Sequence, residues 1–387
     1  MFLDLFCKNL YITARMRNST KNIIVTGICS IAMISVQSNI FGECTELAHA
    51  QDVKMQMKST CDIMFAKNHK FFEDSKVTKP TSIFLDILGH SSKYDKNPIK
   101  KHRTNNGGFL LGSSKELSDS LVLGLFTSFQ YADMKINGAA SHYEDGIFNG
   151  KMFFDGEGKS STTFSGVCGT YTQDNISCKF LGGLGYTKYS NDFLGNLAHQ
   201  NDTKYGSKFY GWSGMLSGEI LYNTKHMFDT DINLGPIIGV DYDHINIDKH
   251  NERAIEDGDP FHFTTEKQKA KSLDTFIGIF ASKNFSIREH ESMAYATIGW
   301  NCECYRRGNK IKNTRDRYNI INNVIRYDRE SSGAIKSKYF MPKNTIKMKA
   351  GFESKISEKF SCEASIGLSI GHHYYAASGD IGAIYSF

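Results

Sequence analysis

FDTDINLGPIIGVDYDHINI, residues 228–247, alternates in character almost from end to end. Phe228, Thr230, Ile232, Leu234, Pro236, Ile238, Val240 and Tyr242 share one parity; Asp229, Asp231, Asn233, Gly235, Gly239, Asp241 and Asp243 share the other. Successive side chains on an extended strand point to opposite faces, so this stretch makes a strand with one apolar and one polar wall. FSCEASIGLSIG, residues 360–371, repeats the pattern. Phe360, Cys362, Ala364, Ile366, Leu368 and Ile370 alternate there with Ser361, Glu363, Ser365, Gly367, Ser369 and Gly371. A water-soluble barrel or sandwich alternates too, with its apolar wall inside, so alternation alone does not say whether water or lipid lies outside.

The rhythm of the runs does. Twelve candidate strands cover 82–92, 105–115, 119–134, 160–173, 175–190, 207–223, 226–247, 267–283, 289–305, 344–356, 359–373 and 379–387. Tight connections fall around Ser118, Asp174, Thr224 with Lys225, Ser286 with Ile287, and Ser357 with Glu358. Long ones fall between them, at 135–159, 191–206, 248–266 and 306–343. Many runs exceed the mean soluble strand of about 5–6 residues and reach the roughly 9–11 that a tilted membrane-crossing strand needs. Aromatic residues gather at run ends: Phe129 and Tyr131; Phe209, Tyr210 and Trp212; Tyr222; Tyr242; Tyr374 and Tyr375. The pattern predicts an all-β fold, a 12-stranded antiparallel transmembrane β-barrel over 81–387, in a bacterial outer membrane, with tight turns periplasmic and long connections outside. The mean hydropathy of −0.38 is no obstacle, because half of every such strand is hidden from lipid.

Residues 1–42 read as an export signal. The apolar core Ile23–Val36 follows Lys8, Arg15, Arg17 and Lys21, Met16 is an alternative start, and cleavage is placed after Ser38 or Gly42. Cys44 follows Glu43 rather than a small residue, which argues against lipidation. Cys168 and Cys178 flank the Asp174 turn and are candidates for a cross-strand disulfide; Cys302 and Cys304 share a strand face. No further ligand types stand beside them, so no metal or other cofactor is expected, and free thiols are the plainer assignment.

Residues 43–80 form a short linker and helix. Leu47, Val53, Met57, Cys61, Met64, Phe65 and Phe72 recur at roughly helical spacing, up to Lys79-Pro80. Gln51, Lys54, Lys58, Asp62, Lys67 and His69 make the other face. Such a helix suits a polar lumen, where its charges find partners; packing across the periplasmic mouth is the alternative.

In order and spacing these pieces resemble the β-domain, or translocator, of the autotransporters, the type V secretion proteins. The matching segments are SIFLDILGHSSKYD (82–95), GGFLLGSSKEL (107–117), SLVLGLFTSFQYADM (120–134), FSGVCGTYTQ (164–173), ISCKFLGGLGYTKYS (176–190), INLGPIIGVDYDHI (232–245) and the closing GDIGAIYSF (379–387). The resemblance implies a monomeric barrel in outer-membrane lipid, handed over by periplasmic chaperones. It implies insertion by the barrel-assembly machinery, which reads the final strand (Ile381, Ala383, Tyr385 and Phe387 here), a helix in the pore, and no catalysis. It also implies translocation or surface display of an upstream passenger. Almost nothing separates signal from helix, so the expectation is a translocator with little or no passenger, 43–80 being its vestige. Asn105-Asn106 and Asn322-Asn323 lie outside the helix, so the self-cleavage of some family members is not carried over.

The segment 306–343 carries eleven Lys and Arg against three Asp and Glu. Arg306, Arg307, Lys310, Lys312, Arg315 and Arg317 are its candidate polyanion-binding residues, suited to lipid phosphates or glycans, if the loop is more than solvated. Nucleic acid is not a fitting partner at this address. Two other functions compete: a channel or loop-borne adhesin, and an outer-membrane protease built from Asp241, Asp243 and His244 with His372, His373 and Asp380. The latter needs a base within hydrogen-bond reach of its proton.

Overall fold

The alternating runs become strands in a computed structural model that describes residues 50–65, 81–96, 99–144, 147–195, 203–224, 232–254, 261–287, 290–307, 310–311, 313–321, 324–331, 335–336 and 342–387. The signal segment 1–42, Met16, Cys44, Lys67, His69 and Lys312 lie outside those residues. The strands are β1 (Thr81–Lys96), β2 (Ile99–Ser118), β3 (Leu121–Glu144), β4 (Ile147–Gln173), β5 (Ile176–Gly195), β6 (Thr203–Tyr222), β7 (Ile232–Ile247), β8 (His250–Ala254) and β9 (Phe261–Thr265). They continue with β10 (Gln268–Ile287), β11 (His290–Arg307), β12 (Lys310–Ile311), β13 (Asn313–Ile321), β14 (Val324–Ser331), β15 (Ile335–Lys336), β16 (Asn344–Lys355), β17 (Phe360–Gly371) and β18 (Tyr374–Ser386). β1 to β7, β10, β11 and β16 to β18 pair in sequence as an antiparallel ring of twelve. The seam is complete, running from Ser82 opposite Ser386 to Tyr94 opposite Tyr374. Closure removes the sheet edges that hydrocarbon will not tolerate.

The predicted parity holds. On β7, Ile232, Leu234, Ile238 and Val240 face outward and exposed, while Asn233, Ile237 and Asp243 face inward and buried. The outward wall is a belt of large apolar side chains, among them Leu125, Leu184, Leu216, Ile277, Ile298 and Ile381. Aromatic pairs rim it at both ends. Phe109–Phe129 (5.0 Å), Tyr186–Tyr210 (5.7 Å) and Tyr186–Trp212 (4.9 Å) mark the end bearing the long hairpins; Phe285–Phe352 (6.0 Å) and Tyr385–Phe387 (5.1 Å) mark the tight-turn end. From Ile176 to Tyr186, a strand rising about 3.3 Å per residue at a tilt of roughly 35–45° climbs about 25 Å, the height of a membrane apolar band.

Three differences from the sequence expectation have physical causes. The segment 135–159 is ladder rather than loop: β3 and β4 pair out to Glu144 opposite Ile147. Beyond the belt the outward wall is polar too, at Asp133, Lys135, Glu157 and Lys159, so the sequence stops alternating between apolar and polar while backbone pairing persists. Likewise β8 and β9 continue β7 and β10 past the rim, β13 lies on β9, and β14 on β13. Ser286 and Ile287 are not a turn but still strand, opposite Glu291 and His290. Finally, Cys168 and Cys178 are not neighbours. Cys168 stands opposite Leu181 facing inward, Cys178 opposite Tyr171 on the outward parity, and both are free thiols.

Candidate functional site: the occupied lumen

Residues 50–65 form a helix, α1, inside the barrel. Every residue of it is buried except Asp62, polar and apolar alike. The lumen presents α1 with walls of different chemistry, and each helical stripe meets its own. Val53, Met57, Cys61 and Met64 pack in one cluster with inward side chains of β1 to β6, among them Leu88, Leu110, Phe126, Phe164, Leu181 and Met215. The lumen is therefore not uniformly polar, as strand alternation alone would have it.

The next stripe meets hydroxyls and amides of β3 and β4. Ser160 Oγ donates to Asp52 Oδ2 at 2.6 Å, and Gln56 Nε2 to the same oxygen at 2.9 Å. Thr60 Oγ1 donates to Ser128 Oγ at 3.1 Å, and Gln130 Nε2 donates to the Gln56 carbonyl (2.9 Å) and to Thr60 Oγ1 (2.8 Å).

The third stripe, Lys54 and Lys58, faces four carboxylates. Lys54 Nζ lies 3.1 Å from Asp274 Oδ1, 3.2 Å from Glu303 Oε1 and 3.8 Å from Asp243 Oδ2. Lys58 pairs with Asp274 and lies 3.7 Å from Asp241. Buried charges persist only when paired and hydrogen-bonded, so the acids of β7, β10 and β11 specify where the lysines sit. Arg306 turns back to the same group, pairing with Glu303.

The helix has a fixed polarity. Glu303, at the Lys54 end, lies near the close of β11 and so near the long hairpins. At the other end Lys179, just past the start of β5, donates to the Phe65 carbonyl at 2.9 Å and pairs with Glu219 at 3.2 Å. α1 runs from the hairpin end down to the tight-turn end. Beside it, along β16 to β18, lies a cavity of about 110 Å³ whose lining includes Asp62, Lys347, Lys349 and Asp380.

A closed barrel of twelve antiparallel strands has known counterparts. The sequence model of the autotransporter β-domain matches residues 83–367. This chain belongs to the autotransporter β-domain family. Its fold is similar to the translocator domain of autotransporter NalP from Neisseria meningitidis, at 12% identity over 89% of this chain and 98% of that one, with a TM-score of 0.59. It is also similar to the β domain of the Bordetella autotransporter BrkA, at 14% identity over 80% and 100%, with a TM-score of 0.54. No curated protein matches it in sequence. The chain is an outer-membrane autotransporter translocator barrel.

The remaining sequence-predicted residues of this translocator separate into groups. Ile381, Ala383, Tyr385 and Phe387 share one outward parity at the closing strand, Ile381 being 69% exposed. The proposed protease residues do not meet: Asp241 and Asp243 face inward toward the helix lysines, and His244 has the opposite parity. His372 and His373 meet edge-on in the exposed β17–β18 turn, ring centroids 4.0 Å apart, and Asp380 is buried, accepting from Ser365. Of the basic segment, Arg306 is engaged by Glu303, Arg307 ends β11, and Lys310 lies in β12. Arg315 and Arg317 occupy register positions opposite Glu330 and Asp328.

Lys54 and Lys58 were legible as a polar stripe. Their partners Asp274 and Glu303 were missed, as were Ser160, Ser128 and Gln130. The available signal was an acid at an inward parity within a few residues of the hairpin end of a strand.

Proposed function

We propose that this barrel is a translocator whose pore is held shut by its own helix, with the tight turns in the periplasm and the long hairpins outside. The observation that carries this is the polarity of α1: its Lys54 end lies at the hairpin side and its Phe65 end at the tight-turn side. Chain ahead of residue 50 is then passed to the outer surface, and residues 43–80 act as the tether that ends transit. Display rather than catalysis is the work. The barrel acts as a monomer in outer-membrane lipid, and the outward row Ile381, Ala383, Tyr385 and Phe387 is what periplasmic chaperones and the barrel-assembly machinery engage.

An epitope placed ahead of residue 50 tests the orientation. Protease added to intact cells should remove it; protection until the outer membrane is breached refutes the assignment. Purified barrel in a planar bilayer tests the plug. Deleting residues 43–78 should raise conductance several-fold, and equal conductance rules the plug out.

A second role attaches to the hairpins. Lys310 stands opposite Lys336 in the β12–β15 pair, a like-charge placement that a bound polyanion would relieve. Deleting 310–336 should abolish heparin retention; unchanged retention removes this role.

A further inference from the structure

Just above the apolar belt, three neighbouring strands place a row of polar and cationic side chains on the outward wall. On β7 the outward positions are Tyr242, His244 and Asn246, and on β10 they are Lys269, Lys271 and Leu273. The register sets Lys269 opposite Asn246 and Lys271 opposite His244. On the far side Tyr305 stands opposite Leu273; on the near side Trp212 stands opposite Asn246. Strands about 4.8 Å apart, with same-face residues about 6.6 Å apart along them, put these groups within one phosphate's reach. Asn246 Nδ2 lies 3.3 Å from His244 Nε2, which ties the polar pair together.

The surroundings narrow the ligand. None of these outward positions carries an acid. The nearest carboxylates, Asp248 and Glu266, lie beyond the row and face Lys267 (3.8 Å) and Lys249 (3.1 Å). Trp212 and Leu216 flank the row on β6, and below it are Val240, Ile277, Ile298 and Trp300, all six 44% exposed or more. A ligand that fits both levels has an anionic head and long apolar tails. A solvated anion would use only the upper one.

We propose that β7, β10 and β11 form a binding site for a phosphorylated membrane lipid. Lys269 and Lys271 hold the phosphate, Asn246 donates to it, and acyl chains descend the strip between Trp212 and Trp300. The site lies on the lipid-facing wall directly behind Asp243 and Asp274, the carboxylates that hold Lys54, so a lipid there stiffens the strands that grip the helix. The proposal rests on the membrane-barrel assignment but not on translocation.

The test uses the full chain, refolded in detergent and shown folded by its heat-dependent mobility in dodecyl sulfate gels. Native mass spectrometry would then follow binding of diphosphorylated lipid A, its fully dephosphorylated form, and inorganic phosphate as competitor. K269Q/K271Q should bind diphosphorylated lipid A roughly twenty-five-fold more weakly, as two lysines each contributing about fivefold require. K283Q/K355Q, at the tight-turn end, should bind as the parent does. Equal binding by K269Q/K271Q, equal binding of the dephosphorylated lipid, or displacement by millimolar inorganic phosphate overturns the site. A chain that never folds in detergent or lipid overturns instead the membrane barrel beneath it.

Discussion

Lys54 touches three carboxylates and Lys58 two, sharing Asp274. Removing one cation from a buried group of this kind strands acids that have already lost their water, a penalty of about 3–5 kcal/mol. Lys54→Met should therefore lower the unfolding free energy of the refolded barrel in urea by about that much. Adding Asp274→Asn to it should cost less than the sum of the two single changes, and strict additivity would mean that the pair is not coupled. A neutral residue matters equally elsewhere. A Cβ on Gly351 of β16 would come within 2.2 Å of the Tyr295 ring, which lies over that glycine from the adjacent strand. Gly351→Val should cost about 1–3 kcal/mol by overpacking. Gly351→Val with Tyr295→Ala should recover part of it, as judged by the same urea midpoint; no recovery would place the strain elsewhere.

As an element, α1 depends on its container. Its sixteen described residues are near the length at which isolated helices are marginal in water. A peptide of residues 45–68 should show little helicity by circular dichroism alone, yet gain it and block conductance when added to barrel lacking 43–78. The same peptide with norleucine at 54 and 58 should fail to block, and block by both would reduce the lysines to bystanders. Much of this element was legible: a 3.6-residue apolar period at Val53, Met57, Cys61 and Met64, and a polar face. What faces it was not. Phe164 and Asp274 both sit at inward parities, and periodicity assigns an inward side to each without saying that one meets Met57 and the other Lys54 and Lys58. The strands were legible where one wall meets lipid, as at Ile232–Tyr242. Beyond the rim, at residues such as Lys135 and Glu157, the outward wall is charged instead of apolar and no apolar–polar alternation survives to be read, although their side chains pair at 2.8 Å. Opposing faces also decided the cysteines: the turn between Cys168 and Cys178 is where it was expected, but a shift of one parity sends the two thiols to different solvents.

On the scale of the molecule, everything depends on an exterior that is greasy at mid-height and wet at both ends, which a net hydropathy of −0.38 conceals. Depth dependence separates that arrangement from a water-soluble barrel with apolar patches. Leu125, Phe129, Tyr131 and Asp133 share the outward face of β3: Leu125 is 61% exposed in the belt, Tyr131 is 48% exposed at the aromatic rim, and Asp133 accepts from the Tyr131 hydroxyl at 3.2 Å just beyond it. An arginine near mid-height must desolvate or drag water inward, at about 2–4 kcal/mol, whereas one at the interface keeps its hydration and costs about 0–1 kcal/mol. Leu125→Arg should therefore lose several-fold more stability than Asp133→Arg when both are unfolded from phospholipid vesicles, even though neither position touches the core or the helix. In a soluble barrel the order would flatten or reverse, because an exposed leucine replaced by arginine would simply gain solvation. Equal costs at the two depths, or a parent protein that stays monomeric in buffer without detergent, would remove the membrane from this structure and with it the need for a closed ring.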